Sequence, residues 1–317
     1  MEPQDRAGRR PVVAAYSPAI GAREPIEFGI AAARLTGAPL TVLAVHQGGP
    51  TLHRHIIEVD EAVGEARRAL ESLRDDLQQR GVDARIMVVN EDTVARGLER
   101  GLDELWPGLV VVGSSRRGVL RRVLRGNTAE HVIHRARCPV AVVPNGYERP
   151  EGGVRMVGAA FAPTPEGNEA LHGAAVLARA GGARLRAIMV VDPHIEEQSP
   201  GLMAKEHHDL DARETATARE EMGAEAQLRE AIAAAAGDLD VDVDVLANDP
   251  ADGLVAASEF VDLLVMGSRA RAPRRALILG SVSRKVTERA HCPVVVLPRG
   301  AAEATELLLS SLHAPSA

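Results

Sequence analysis

The feature that most limits what this chain can fold into is an internal repeat. Residues 109–144, LVVVGSSRRGVLRRVLRGNTAEHVIHRARCPVAVVP, and residues 263–298, LLVMGSRARAPRRALILGSVSRKVTERAHCPVVVLP, share one plan. Gly113 and Gly267, Gly126 and Gly280, and Cys138 and Cys292 are each separated by 154 residues. Each copy opens on a continuous apolar run, the pattern of a strand covered on both faces in a parallel sheet. The run stops at a glycine and an arginine-bearing loop follows. A helix over Val282 to Arg289 comes next, with Ser281 as its expected N-cap, and Pro293 precedes the last buried strand, Val294–Leu297. Free N–H groups at such a helix start, placed at the carboxyl end of a parallel strand, favour an anion. A phosphate site is therefore the functional reading.

The remaining chain doubles in the same way. Strands are predicted at Pro11–Tyr16, Leu40–His46, Ala84–Val89 and Leu109–Val112, alternating with helices at Pro25–Leu35, Glu58–Gln79 and Thr93–Leu105. Val140–Val143 supplies a fifth strand. The second half repeats this with strands Met156–Phe161, Leu185–Val191 and Val241–Leu246 and helices Glu169–Ala180, Asp211–Ala236 and Ala251–Phe260. Val45 and Val190 are only 145 apart, so the second half carries a net insertion of nine residues, placed mainly around 192–210. Tyr147–Gly153, YERPEGG, has the composition of a linker. The expected division is a first domain over 10–146, a linker over 147–153, a second domain over 154–299 and a frayed tail over 300–317. Alternating strands and helices define an α/β protein of two tandem doubly wound domains.

The spacing of the loops identifies a resemblance. A glycine, two residues, a glycine, nine residues, then glycine with serine or threonine, followed by a helix and a CPV strand, is the nucleotide-binding signature of the universal stress protein family. Gly267, Ala270, Gly280 and Ser281 stand at those places in the second half, and Gly113, Arg116, Gly126 and Asn127 in the first. The whole chain resembles a tandem member of that family. Both copies lack the second glycine, and the first has Asn127 for the terminal Ser or Thr. The resemblance implies Rossmann-like five-stranded parallel sheets of order 3-2-1-4-5, with an adenine nucleotide such as ATP across the ends of strands 1, 2 and 4. It also implies that the fifth strands pair across a domain or subunit interface, and a role in stress or dormancy physiology. Dimerisation of the tandem chain is a further expectation from the family.

The candidate residues each carry a plainer alternative. Ala270 adds a methyl and Arg116 a long cation where a glycine would let the backbone approach a phosphate. Arg116, Arg117, Arg121 and Arg125, with Arg269, Arg271, Arg274 and Arg275, can hold an anion by side chain, or can be solvated surface. Nucleotide-binding members carry an aspartate at the end of the first strand. Tyr16 and Phe161 stand there instead and either stack on adenine or fill space. Val45 and Val190 match the family's adenine-contacting place on the second strand, where a valine is also ordinary core. Asn127-Thr128-Ala129-Glu130 is a capping sequence in its own right. Gly280-Ser281-Val282-Ser283 is the best retained stretch, so the second half is the better candidate for a nucleotide.

Composition excludes several classes. A net charge of −7 and 2% aromatics argue against sequence-independent nucleic-acid or acidic-membrane binding. The amino end lacks an apolar signal core and no run reaches membrane-spanning length, so a cytoplasmic location is expected. Cys138 and Cys292 precede equivalent strands and read as small buried residues rather than a disulfide. His131 and His134 share a helix face, but Lys285 and Glu288 replace them in the second half, and His53, His55 and the adjacent His207 and His208 complete no ligand set. No metal site is expected. Gly113-Ser114-Ser115 and Gly267-Ser268-Arg269 lack the pattern around a nucleophilic serine, and no general base stands out. The functional readings are a nucleotide-responsive regulatory protein, a nucleotide-independent scaffold with an unknown protein partner and, more distantly, a slow ATP hydrolase.

Overall fold

The computed structural model describes residues 10–47, 56–114, 138–192, 210–268 and 280–298. In the first half, β1 (Val12–Tyr16), β2 (Leu40–Gln47), β3 (Ala84–Glu91), β4 (Leu109–Gly113) and β5 (Val140–Val143) alternate with α1 (Glu24–Thr36), α2 (Ile56–Gln79) and α3 (Val94–Leu105). In the second, β6 (Met156–Phe161), β7 (Arg184–Val191), β8 (Val241–Ala247), β9 (Leu263–Gly267) and β10 (Val294–Leu297) alternate with α4 (Pro165–Gly181), α5 (Leu210–Ala236), α6 (Pro250–Ala257) and α7 (Ser281–Arg289).

The ten strands among the described residues form one sheet in the order β3-β2-β1-β4-β5-β10-β9-β6-β7-β8. Neighbours within each half are parallel, with Val12 opposite both Leu40 and Leu109 and Val157 opposite both Leu185 and Leu263. The halves meet where β5 and β10 pair antiparallel, Val142 against Val294 and Ala141 against Val295. The central strands are apolar on both faces because helices cover both. Leu35 of α1, Leu73 and Leu77 of α2, Leu171 of α4 and Leu228 of α5 bury against one face, while Leu98 of α3, Leu254 of α6 and Val286 of α7 bury against the other.

Gly37 and Gly182 cap α1 and α4 at equivalent places with φ of 64° and 60°, which only a glycine adopts without strain. Two helix boundaries differ from expectation. Helix α4 begins at Pro165 rather than Glu169, because Thr164 accepts a hydrogen bond from Gly167 N and Pro165 fits the first turn. The expected helix over Ala251–Phe260 is α6 followed by a 3₁₀ turn over Ser258–Phe260, with the Ser258 hydroxyl donating back to Val255 O.

The two halves also touch through helices. Leu35 Cδ1 lies where a Cβ on Gly181 would come within 2.0 Å, so α1 and α4 cross closely at a glycine. A cavity of about 20 Å³ lies between the halves, lined by Phe28, Leu35, Leu177, Leu263, Val295 and Leu297 among others, and has room for roughly one water. The YERPEGG segment is pinned rather than loose. Gly146, just before it, donates its N–H to Glu24 Oε1 at 3.0 Å, the Tyr147 ring meets Phe28 edge-on at 5.9 Å, and Arg149 reaches Glu27 at 3.5 Å. Glu27 also accepts two bonds of 2.7 Å from Arg80, which joins Asp76 and through it Arg23. Composition could not show this, since the partners lie on α1 and α2.

Candidate functional site at the carboxyl edge of the sheet

The strand order reverses between β1 and β4 in one half and between β6 and β9 in the other. A crevice outside the carboxyl ends of these strands is where open α/β sheets take ligands. Gly113 and Gly267 end β4 and β9 at these points, and Tyr16 and Phe161 end the adjacent β1 and β6. Arg116, Gly126, Asn127, Thr128 and Ala270 lie outside the described residues, as do the loop arginines named above and the helical, loop and paired histidines.

The described candidates are occupied mainly by the protein itself. Tyr16 and Phe161 are each only 7% exposed and belong to the core beneath α1 and α4. Val45 packs against Gly97 of α3, where a Cβ would come within 2.4 Å of its Cγ1, and Val190 meets Gly253 of α6 in the same way at 2.8 Å. A glycine on each covering helix thus matches a valine at the end of each second strand. This correspondence was written in the chain but legible only once the helices were placed.

The two switch points are not alike. At Gly113 an added Cβ would meet the Pro25 ring at 3.3 Å, close enough that the ring must give by a few tenths of an ångström. At Gly267 it would meet the Glu166 carbonyl oxygen at 2.5 Å and Glu166 Cβ at 3.0 Å. The extra first turn of α4 therefore lies directly against the end of β9, and Gly267 is small because the backbone of α4 needs its place. Glu166 is 6% exposed, which sets an acidic residue at this crevice. The sequence reading missed Glu166, although Thr164-Pro165 announces the earlier helix start.

Helix α7 begins where the sequence places the expected anion site. Gly280, with φ −71° and ψ 173°, is the N-cap, and Ser281 is the first helical residue, so the expected capping by Ser281 is corrected. The serine has entered the helix, where its hydroxyl is no longer placed to receive the N–H groups of the next turn. Among the described residues no side chain caps α7, and its first turn contains no acid. Ser281 is exposed, Val282 half-buried and Ser283 buried. Ser268, immediately after Gly267, is 3% exposed, and its hydroxyl finds no hydrogen-bond partner among the described residues, although its N–H donates to Leu297 O.

Other chemistry is sparse. Cys138 and Cys292 are free and buried, and desolvation pushes each thiol up to about 12. Among the described residues no group of three His, Cys, Asp or Glu side chains could hold a metal, and no helix is long and apolar enough to cross a membrane.

A tandem pair of doubly wound domains, each with a glycine ending the fourth strand at the switch point, defines a Rossmann-like α/β protein. Segments 8–144 and 154–298 both match the universal stress protein family. The chain belongs to that family, as a tandem member. Universal stress protein Rv2005c of Mycobacterium tuberculosis is 32% identical over 194 residues, 59% of this chain, and the chain spans 61% of the length of that relative. Among solved structures, PA1789 of Pseudomonas aeruginosa aligns over 96% of this chain and 98% of its own at 18% identity and a TM-score of 0.60. A universal stress protein of Archaeoglobus fulgidus aligns over 91% and 96% at 17% identity and a TM-score of 0.56. At these identities the structural likeness is one of fold.

Proposed function

We propose that this chain is a binding and regulatory protein of stress physiology, cytoplasmic, acting through its protein surfaces, with adenine-nucleotide pockets that have degenerated. The observation that carries this reading is the Glu166 carbonyl oxygen 2.5 Å from where a Gly267 side chain would begin. Protein backbone takes up space at the switch point of the half that best retains the signature. Phe161 in place of an aspartate adds to this, being packed into the core.

A second reading, an adenine nucleotide such as ATP held by the second half, is favoured by a different observation. Buried hydroxyls ordinarily have a partner, and the Ser268 hydroxyl, which has none among the described residues, follows the glycine of the loop that leads to the start of α7. Slow ATP hydrolysis gains no named base from the described residues.

The test is mass spectrometry of the denatured purified protein for retained small molecules, beside titration with ATP and cyclic AMP. The scaffold reading expects neither recovered nucleotide nor binding at millimolar concentration. Saturable binding that Gly280→Trp abolishes would overturn it in favour of the second reading. Ala270→Gly would then raise affinity if the missing glycine restricts the pocket.

A further inference from the structure

The ten-stranded sheet ends on β3 at one side and β8 at the other, and the two edges are built differently. β8 carries Asp242 and Asp244, with Asp240 just before it, opposite Arg184 and Arg186 of β7. A strand added antiparallel in the plane of the sheet, with the helices of both copies on matching faces, pairs odd residues with odd and even with even. Centred on Asp244, a second β8 sets that aspartate against its twin, and centred on Val243 it sets Asp242 against Asp244, both repulsive. Alternating charge of this kind blunts an edge.

The other edge lacks this run of acids. β3 reads Ala84-Arg85-Ile86-Met87-Val88-Val89-Asn90-Glu91, without proline or lysine. Among the described residues it pairs only with β2, and along its full length. Val88 is 48% exposed. Centring an antiparallel pair of β3 strands on Val88 aligns residues 85–91 with no overhang at either end of that span. It places Arg85 opposite Glu91 of the second copy, twice, and Val88 against its twin. Shifting the centre by one residue either way loses both ion pairs. Arg85 is exposed, while Glu91 is already held by Arg100 at 3.1 Å and so is positioned to receive a second guanidinium. The chain uses the same geometry internally, where β5 and β10, equivalent strands of the repeat, pair antiparallel with matching faces.

We propose that the outer edge of β3 is a self-association surface, on which a second copy of this chain adds its own β3 antiparallel about a two-fold axis through Val88. The product is a closed dimer whose sheet runs through both copies and ends on the guarded β8 edges. The surface is independent of either crevice, so it holds whether or not a nucleotide binds.

The test is sedimentation velocity of the full chain as wild type, Arg85→Glu, Glu91→Arg, Val88→Lys, and an equimolar mixture of the first two variants, with circular dichroism to confirm that each is folded. The wild type is expected to be dimeric. Each of the three variants alone should raise the dimer dissociation constant about tenfold or more. The mixture should recover the dimer, because it sets an all-acidic edge against an all-basic one. A wild type that is monomeric throughout would overturn the proposal, as it would if another segment of the chain covers β3. A dimer indifferent to all three substitutions, or a mixture that stays monomeric, would overturn it as well.

Discussion

Gly113 and Gly267 occupy one place in the repeat and hold it for different reasons. Beside Gly113 there is a proline ring that can give by a few tenths of an ångström. Beside Gly267 there is the backbone of Glu166, which cannot move without shifting the first turn of α4. Gly267→Ala is therefore expected to destabilise by about 1–3 kcal/mol, as overpacking does. Gly113→Ala should cost less than about 1 kcal/mol, since the residue replacing a strand glycine also gains conformationally. The midpoints of urea unfolding compare the two directly, and equal losses would mean that Glu166 does not need the space. The spacing made both glycines conspicuous, but it could not say what each one makes room for. Val45 and Val190 pose the same problem, being matched to Gly97 and Gly253 by helices far along the chain.

Among the elements, α1 carries more than its share of the architecture. Its Glu27 is held by Arg80 from beyond the end of α2 and by Arg149 from the segment between the halves. The Arg80 hydrogen bonds pull the Glu27 pKa below its ordinary value of 4.5, more than burial raises it. A carboxyl whose folded pKa is depressed contributes stability above its unfolded pKa and loses it as pH falls through the folded value. The wild type should therefore lose stability as pH drops from about 5, and Glu27→Gln should flatten that part of the profile. At pH 7 the substitution is expected to cost about 1–2 kcal/mol, since it weakens charge-assisted hydrogen bonds. Thermal unfolding of both proteins between pH 3 and 7 measures this, and parallel profiles would remove Glu27 as the source. The helices were largely legible from their apolar periodicity, and α4 would have been placed correctly had Thr164-Pro165 been given its due. The pinning of YERPEGG was not legible, because a linker composition describes only the segment and not what lies beneath it.

At the scale of the whole molecule, the antiparallel β5–β10 pair, the α1–α4 crossing and the pinned connecting segment tie the halves by three separate kinds of contact. Loss of either half would expose the buried Val140–Val143 or Val294–Leu297 strand, so the two are expected to unfold in one cooperative step. Trp106, the single tryptophan, reports the first half, whereas far-ultraviolet circular dichroism reports both. Coincident urea transitions by the two probes are expected, and a tryptophan transition separated from the dichroic one would show independent halves. By itself the sequence determined the repeat, the α/β class and the family, because these rest on periodicity and on spacings that lie along the chain. Only the tertiary structure decided which glycines serve the chain's own packing, which edge of the sheet is guarded and how the halves are joined. Those properties depend on atoms brought together from distant positions, and no local pattern records the distance between them.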